Sequence, residues 1–242
     1  MSTLLLRLAA PLQAWGTESK FESRRTQREP SKSGVIGMLA AALGLRRDAD
    51  LSELTALRFG VRVDREGEVI RDFHTAQAVK VVKAEKKAKK GKDEEPEKIG
   101  YVTSRYYLSD AVFLVGLESE DDEFLEKIET ALRTPCFPLF LGRRSCPPTL
   151  PLVLGLREKD LETALREEEN QNQNARSIKR TRRYIRLDSM PDESEGAVVR
   201  DLPISFSPYK REFGYRRAKE IWLRDHVNTE ESAEEHDAMA EL

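Results

Sequence analysis

The sequence predicts an α+β fold, because apolar runs of strand length and of helix length follow one another along the chain. Two runs have helical length and an apolar or amphipathic pattern, residues 35–43 and 121–133. In order, the chain gives strand–helix–strand, a charged excursion, and a second strand–helix–strand. No run approaches about eighteen apolar residues, so the sequence predicts no membrane span.

The first element is a strand over residues 3–8, since its apolar run is short and Pro11 soon follows. The next is a helix over 35–43, with Ser33 as its predicted N-cap and Gly44 as its C-terminal stop. A helix N-terminus offers free N–H groups and the positive end of a dipole. We therefore predict an anion site in the loop before this helix, with phosphate as the favoured anion.

Basic residues of that loop, together with the predicted cap, are the first candidate ligands of the anion. They are Arg24, Arg25, Arg28, Lys32 and Ser33. A solvated loop is the alternative, because charged loops without a ligand are common. The glycine spacings of a Walker P-loop and of a dinucleotide-binding turn are both missing from this region.

In the next segment we predict two short elements and a turn that reverses the direction of the chain. A helical turn over 51–57 precedes a strand over 58–64, in which apolar and polar residues alternate. After a turn at Glu66-Gly67, residues 68–73 are predicted to pair back onto that strand and to end at His74.

Residues 78–103 differ from their neighbours, with eight lysines and five acidic residues. Such a composition cannot form a packed core, so we predict a mobile hairpin or a partly disordered loop. Two interpretations remain open, a solvated loop without a function and a flexible basic arm that grips phosphates.

The second half of the pattern repeats the first. Residues 111–117 form a predicted central strand, 121–133 a helix that ends at Thr134-Pro135, and 152–154 the next strand. A proline-braced loop with hydrogen-bond donors lies before the last strand, and its candidate residues are Gly142, Arg143, Arg144 and Ser145. Structural ion pairs are the alternative role for the two arginines. The order of elements is that of a ferredoxin-like fold, as in RNA-recognition domains.

The composition changes after Gly155. Residues 160–169 are predicted to be an acidic helix, 170–174 a polar linker, and 198–223 short strands. Residues 229–242 contain six acids and no Lys or Arg, and we predict that they are disordered. Since the whole chain carries −2, the remainder carries about +4 and is basic. The predicted parts are 1–156, a smaller and mostly β region over 157–228, and the acidic segment 229–242.

The two cysteines, Cys136 and Cys146, form no metal-binding spacing, and we predict neither a metal nor another cofactor. Two cysteines without a signal peptide favour a reduced, cytoplasmic setting. Cys146 is predicted to be a small buried residue rather than a nucleophile.

Four stretches carry a resemblance to a known family. They are LRLAAPLQAWG, PSKSGVIGMLAAALGL, DFHTAQ around His74, and LGRRSCPPTLPLVLG from Leu141 to Gly155. In this order, from about residue 3 to residue 156, the chain resembles the CasD-type subunits of type I-E CRISPR Cascade. That family belongs to the repeat-associated RNA-binding (RAMP) superfamily.

The resemblance implies a fold and a role. The fold is a ferredoxin-like palm with a thumb hairpin, here residues 78–103, inserted between its strands. The role is to hold the 5′ handle of the CRISPR RNA and to cap the backbone filament of a prokaryotic antiviral ribonucleoprotein complex. The implied partners are CRISPR RNA, the repeated backbone subunit and the large subunit, through which the complex meets target DNA. In this branch a separate subunit cuts RNA, which implies a non-catalytic protein.

Candidate RNA contacts follow from this role. Loop arginines would bind phosphates, Trp15 or Tyr106 would stack on bases, and Gln13 would read base edges. His74 and Arg105 would lie beside the RNA, and Trp15 is alternatively a core residue. One alternative function is a metal-independent endonuclease that cleaves CRISPR-repeat RNA with His74 as general base. Another is a ribosome- or mRNA-associated binding domain.

Overall fold

The computed structural model describes residues 1–16, 23–79, 98–172, 183–190 and 195–223. Its helices are α1 (Lys32–Ala42), α2 (Ser52–Ala56), α3 (Asp122–Arg133) and α4 (Leu161–Glu167). Its strands are β1 (Ser2–Ala9), β2 (Leu12–Gln13), β3 (Ser23–Arg24), β4 (Arg58–Arg65), β5 (Glu68–Val79), β6 (Lys98–Ser109), β7 (Val112–Ser119), β8 (Val153–Arg157), β9 (Tyr184–Asp188), β10 (Ala197–Ser205) and β11 (Glu212–Trp222).

A seven-stranded antiparallel sheet organises the molecule, in the order β10-β11-β9-β4-β7-β1-β8. Helix α1 follows β1 and helix α3 follows β7, and the two helices contact each other. The α+β class is therefore confirmed, and so are the predicted elements from which it was inferred. Among the described residues, no helix is long and apolar enough to cross a membrane.

Strand β1 is apolar on both faces because both faces are covered. Leu4, Leu6 and Leu8 belong to the main core, which also contains buried residues of α1 and α3. Leu5 points to the opposite face, where it packs in a second cluster with Leu161 of α4. An apolar run without alternation is what a strand buried on both sides requires.

Buried charges hold both ends of α4 against the sheet. The side chain of Arg62 is 0% exposed and pairs with Asp64 at 2.7 Å. Its guanidinium also donates to carbonyl oxygens in and just after the last turn of α4, those of Leu165, Glu168 and Glu169. At the other end, the buried Glu118 accepts from the backbone N–H of Leu161. These contacts satisfy backbone groups that a helix leaves unpaired at its ends.

The chain leaves the large sheet at Gly67, where a turn was predicted. Gly67 has a φ of +70°, and a Cβ there would lie 2.5 Å from the carbonyl oxygen of Ser109. The predicted pairing of 68–73 back onto β4 is wrong. Instead β5 pairs along its full length with β6 in a second sheet, and it continues through His74 to Val79.

Strands β5 and β6 form a long two-stranded ribbon that reaches into both ends of the predicted excursion 78–103. Residues 80–97 lie outside the described residues. At the base of the ribbon, β2 and β3 both pair with the edge of β6 that β5 leaves free, β2 at Leu108 and Ser109 and β3 at Ser104 and Arg105.

The C-terminal region is rich in β structure, as predicted, and α4 matches the predicted helix at 160–169. Its strands do not form a sheet of their own, because β9 pairs with β4 and so extends the large sheet. The acidic segment 229–242 lies outside the described residues.

Candidate nucleic-acid interface

Three predicted binding segments, distant in sequence, meet around Arg143. Its guanidinium donates to the carbonyl oxygen of Tyr106 on β6 at 3.1 Å and to that of Arg24 on β3 at 2.8 Å. It also lies 4.6 Å from the centroid of the Tyr107 ring, a cation–π distance. One arginine thus joins the proline-braced loop, the basic loop and the ribbon into one surface. Because its donors are used in this way, its evident role is to position the surface.

Gly142 permits this arrangement through contacts within the chain. It has a φ of +84°, and a Cβ there would lie 1.7 Å from the carbonyl oxygen of Ala14. The adjacent Leu141 carbonyl accepts from the N–H of Ala14 at 3.1 Å. No other residue type allows so close an approach at a positive φ. The observed reason for the glycine is therefore packing of the loop against residue 14.

Exposed side chains around Arg143 remain available to a ligand. Arg24, Arg28 and Arg144 are exposed, and none of the salt bridges among the described residues involves them. Arg25 and Ser145 are exposed as well. Arg24, Arg28 and Arg144 therefore carry positive charge that no salt bridge among the described residues neutralises.

Cys146, beside this loop, is buried. Burial raises the pKa of its thiol, whereas a nucleophilic cysteine needs a lowered pKa. This agrees with its predicted role as a small core residue.

The ribbon presents two chemically different faces. Asp72 and His74 share one face with Arg105, which lies opposite Asp72 in the β5–β6 register. His74 Nε2 lies 2.6 Å from Asp72 Oδ2, and Arg105 is half-buried with no hydrogen-bond partner on its Nε. The other face carries Phe73, 61% exposed, with the Arg71 guanidinium 4.4 Å from its ring centroid.

The sequence analysis identified only some of the aromatic side chains that could stack on bases. Tyr106 is half-buried on the ribbon, whereas Phe73 and the 52%-exposed Tyr101 were not among the candidates. An alternating strand pattern could have suggested them once the ribbon was known to leave the core.

Gln13 and Trp15 require a correction, because both lie in the interior with 0% and 1% exposure. The Gln13 amide donates to the carbonyls of Leu8 and Ala111 and accepts from the Trp15 indole N–H at 3.1 Å. Neither side chain can reach a base in this conformation. Trp15 has the core role that was its alternative, and the pair anchors the start of the basic loop.

The predicted anion site at the N-terminus of α1 is occupied by the chain itself. The N-cap is Ser31 rather than Ser33, and its hydroxyl accepts from the N–H of Gly34 at 3.2 Å. The anion is the buried carboxylate of Asp201, which accepts from the N–H of Lys32 at 2.8 Å. A helix N-terminus does attract an anion, but here the anion comes from β10.

Lys32 is likewise internal, 4% exposed, and its ammonium pairs with Asp188 at 2.9 Å. Arg216 bridges both carboxylates, with 2.7 Å to Asp188 and 2.6 Å to Asp201. Two cations and two carboxylates therefore balance one another beneath the start of α1. Lys32 and Ser33, which is also buried, do not face a ligand in this arrangement.

A cleft of about 450 Å³ lies between residues 27–31 and strands β9 to β11. On its wall, Glu29 accepts from the Tyr184 hydroxyl at 2.9 Å and from the Arg186 guanidinium. Burial raises the pKa of the Glu29 carboxyl, although Arg186 opposes this effect. Burial and the Glu29 charge raise the pKa of Tyr184, which keeps its hydroxyl protonated as a donor. Arg28 lies on the same cleft.

The described residues contain no group of three or more His, Cys, Asp or Glu side chains that could hold a metal ion.

Comparison with known proteins gives a matching family and a similar protein. Residues 3–219 match the family model described as CRISPR-associated protein (Cas_Cas5). The chain is 40% identical over 168 residues to the CRISPR system Cascade subunit CasD of Escherichia coli, covering 64% of this chain and 70% of that protein.

Solved structures agree with this match. One is a chain of a CRISPR RNA-guided surveillance complex, with a TM-score of 0.69 and 35% identity, covering 91% of this chain and 89% of that chain. Another, described as the crystal structure of a Cas protein, has a TM-score of 0.64 and 38% identity, covering 91% and 94%.

Proposed function

The chain belongs to the Cas5 family of CRISPR-associated proteins, and from this premise we propose that it is an RNA-binding subunit of a type I-E Cascade complex. In this proposal it holds the 5′ handle of the CRISPR RNA and caps the backbone filament. The observation that carries the proposal is the meeting of the basic loop, the ribbon and the 142–145 loop around Arg143. Its other partners would be the backbone subunit and the large subunit, in a prokaryotic cytoplasm.

The fold is proposed to be a ferredoxin-like palm with an inserted thumb. The support is the antiparallel order β4-β7-β1-β8, with one helix after β1 and another after β7. That order corresponds to a split βαβ arrangement. The ribbon β5–β6 leaves the palm between β4 and β7, at the position expected for the thumb.

RNA would lie across the Arg143 junction. Exposed arginines, Arg24 and Arg144 among them, are suited to phosphate contacts, which position an RNA without reading its sequence. Unstacked bases of a single strand stack on exposed aromatic rings, and Tyr101 and Phe73 supply one such ring on each face of the ribbon. In this proposal, aromatic residues of the ribbon therefore stack on the bases, a role that the sequence analysis gave to Trp15.

The protein is proposed to be non-catalytic. One observation favours the alternative, a repeat-RNA endonuclease, because the Asp72 carboxylate lies 2.6 Å from His74 and could orient it as a general base. Cleavage would also need a cation beside the developing oxyanion, and Arg105 lies opposite Asp72. A holder and a cutter give different products from the same RNA, so one assay separates them.

The test uses the full chain with labelled repeat RNA, with and without the backbone subunit, at two salt concentrations. The parent is compared with Arg24→Ala/Arg144→Ala. A matched control is Arg46→Ala/Arg47→Ala, which removes two exposed arginines from the turn after α1. Each lost phosphate contact should weaken binding about tenfold and lower the salt slope by about 0.7 for a single strand.

Retention of intact RNA by the parent and the control, with weaker binding by Arg24→Ala/Arg144→Ala, supports the holder. An equal loss of RNA affinity in both double variants would show that only the net charge of the protein matters, and it would contradict the proposed surface. Specific cleavage by the protein alone, abolished by His74→Ala, would replace the holder by the endonuclease.

A further inference from the structure

The face of the ribbon that carries Asp72 also carries two cations. In the register of the second sheet, Asp72 lies opposite Arg105 of β6, and Arg105 lies beside Arg24 of β3. Neighbouring strands are about 4.8 Å apart, so these three residues form one row across the sheet. His74, which contacts Asp72, lies next to the row, and we call the four residues the ribbon row.

The two arginines of the ribbon row have donors to spare. Among the described residues, neither Arg24 nor Arg105 forms a salt bridge. The half-buried Arg105 also has a solvent-shielded Nε without a hydrogen-bond partner in the described part of the chain. A shielded donor without a partner costs free energy, which makes it a candidate for a ligand or a water. Two adjacent guanidinium groups are suited to a phosphate of a bound strand.

Asp72 is a carboxylate on a surface that is proposed to bind a polyanion. Its side chain is 50% exposed, His74 Nε2 lies 2.6 Å from its Oδ2, and the described residues make no hydrogen bond to its Oδ1. An exposed carboxylate repels phosphates and lowers the affinity for a nucleic acid, unless the ligand donates a hydrogen bond to it. Ribose offers such a donor in its 2′-hydroxyl, and deoxyribose does not.

We propose that the ribbon row selects ribose. Asp72 Oδ1 accepts a hydrogen bond from one 2′-hydroxyl of the RNA, while Arg105 and Arg24 bind an adjacent phosphate. This role rests on the proposed function and names the group by which the protein distinguishes RNA from DNA. His74 is a positioning residue, because its contact with Oδ2 orients the carboxylate with Oδ1 open to the ligand. No bond is broken at this site, in contrast to the endonuclease alternative, in which His74 acts as a general base.

The test measures the affinity of the full chain for labelled single strands of one sequence. They are the repeat RNA, the same strand as DNA with deoxyuridine in place of thymidine, and a series of RNAs that each carry one 2′-deoxy nucleotide. The parent should bind the RNA at least about tenfold more tightly than the DNA, because a hydrogen bond to a charged group contributes about one order of magnitude in affinity. One position of the deoxy series should show a loss of about this size.

Four variants separate the sugar contact from the phosphate contact, with the ratio of RNA to DNA affinity as the readout. Asp72→Ala should lower this ratio about tenfold. Its matched control, Glu68→Ala, removes an exposed carboxylate from the same face of β5 and should leave the ratio unchanged. Arg105→Ala should weaken RNA and DNA binding by the same factor, since both strands carry the phosphate. His74→Gln, whose amide can still donate to the carboxylate, should keep the ratio.

The same ratio in the parent and in Asp72→Ala would overturn ribose selection and leave the proposed function standing. A loss that follows the base at the sensitive position, and not its 2′-hydroxyl, would also overturn it, because the carboxylate would then accept from a base amino group. If the parent binds no RNA at all, the proposed function fails, and ribose selection fails with it.

Discussion

Replacing Asp201 by Asn tests whether a buried carboxylate, rather than a ligand, satisfies the start of α1. The side chain is 2% exposed and accepts from the Lys32 N–H at 2.8 Å. It also accepts from Arg216 Nε at 2.6 Å and from Arg216 Nη2 at 2.9 Å. Removing one partner of a buried ion pair costs about 3–5 kcal/mol. We expect about 3 kcal/mol, because Asp188 still pairs with Arg216 at 2.7 Å.

The assay is urea unfolding of the full chain, followed by circular dichroism. With a slope of about 3 kcal/mol/M, the midpoint should fall by about 1 M. Glu220→Gln is the matched control, since it makes the same chemical change at a partly exposed ion pair with Arg186. The control should cost at most about 1 kcal/mol. Equal, small costs for both variants would refute the buried network as the structural reason for the charge at position 201.

Three more predictions concern single positions. Gly142→Ala should lower the free energy of unfolding by more than about 2 kcal/mol, through strain at positive φ and a clash with residue 14, while Gly100→Ala, with nothing within 4 Å, should cost little in the same urea assay. Arg62→Met should cost about 3–5 kcal/mol, because the buried Asp64 loses its 2.7 Å ion pair and is left with the Arg183 guanidinium at 3.8 Å. Arg62→Met/Asp64→Leu should recover part of that free energy, and no recovery would show that the pair itself stabilises α4. Because the pKa of Glu29 is raised above 4.5, its protonated form stabilises the fold at low pH and that stability is lost as pH rises. Between about pH 4 and about pH 7, the free energy of unfolding of the parent should therefore fall relative to that of Glu29→Gln. Parallel curves of unfolding free energy against pH would contradict the burial of this carboxyl.

Local patterns identified most elements of the fold. The continuous apolar runs of β1 and β7 and the helical spacing of α3 depend only on neighbouring residues, which the sequence gives directly. The pairing of β5 could not be read in this way, because a polar strand fits a hairpin with β4 as well as one with β6. Alternation predicts a strand, but the partner is decided by the turn at Gly67 and by distant packing.

The burial of Lys32 was beyond sequence reasoning for a similar reason. Its partner Asp188 lies 156 residues further along the chain. A basic residue at the start of a helix, in a loop rich in arginine, has the pattern of a phosphate ligand when read alone. Only the fold, which brings β9 and β10 under that helix, supplies the carboxylates that neutralise it.

The arginines of this chain therefore fall into two classes that composition cannot separate. Arg143 and Arg216 have their donors directed at carbonyls or carboxylates of the chain, and they fix where strands and loops meet. Arg24 and Arg144 project from the surface so fixed, and among the described residues no carboxylate pairs with either. A phosphate can bind only a donor that folding has left unsatisfied, so the buried class determines the shape of the interface and the exposed class its affinity. Affinity for RNA should consequently be sought at Arg24 and Arg144, whose loss leaves the junction around Arg143 intact.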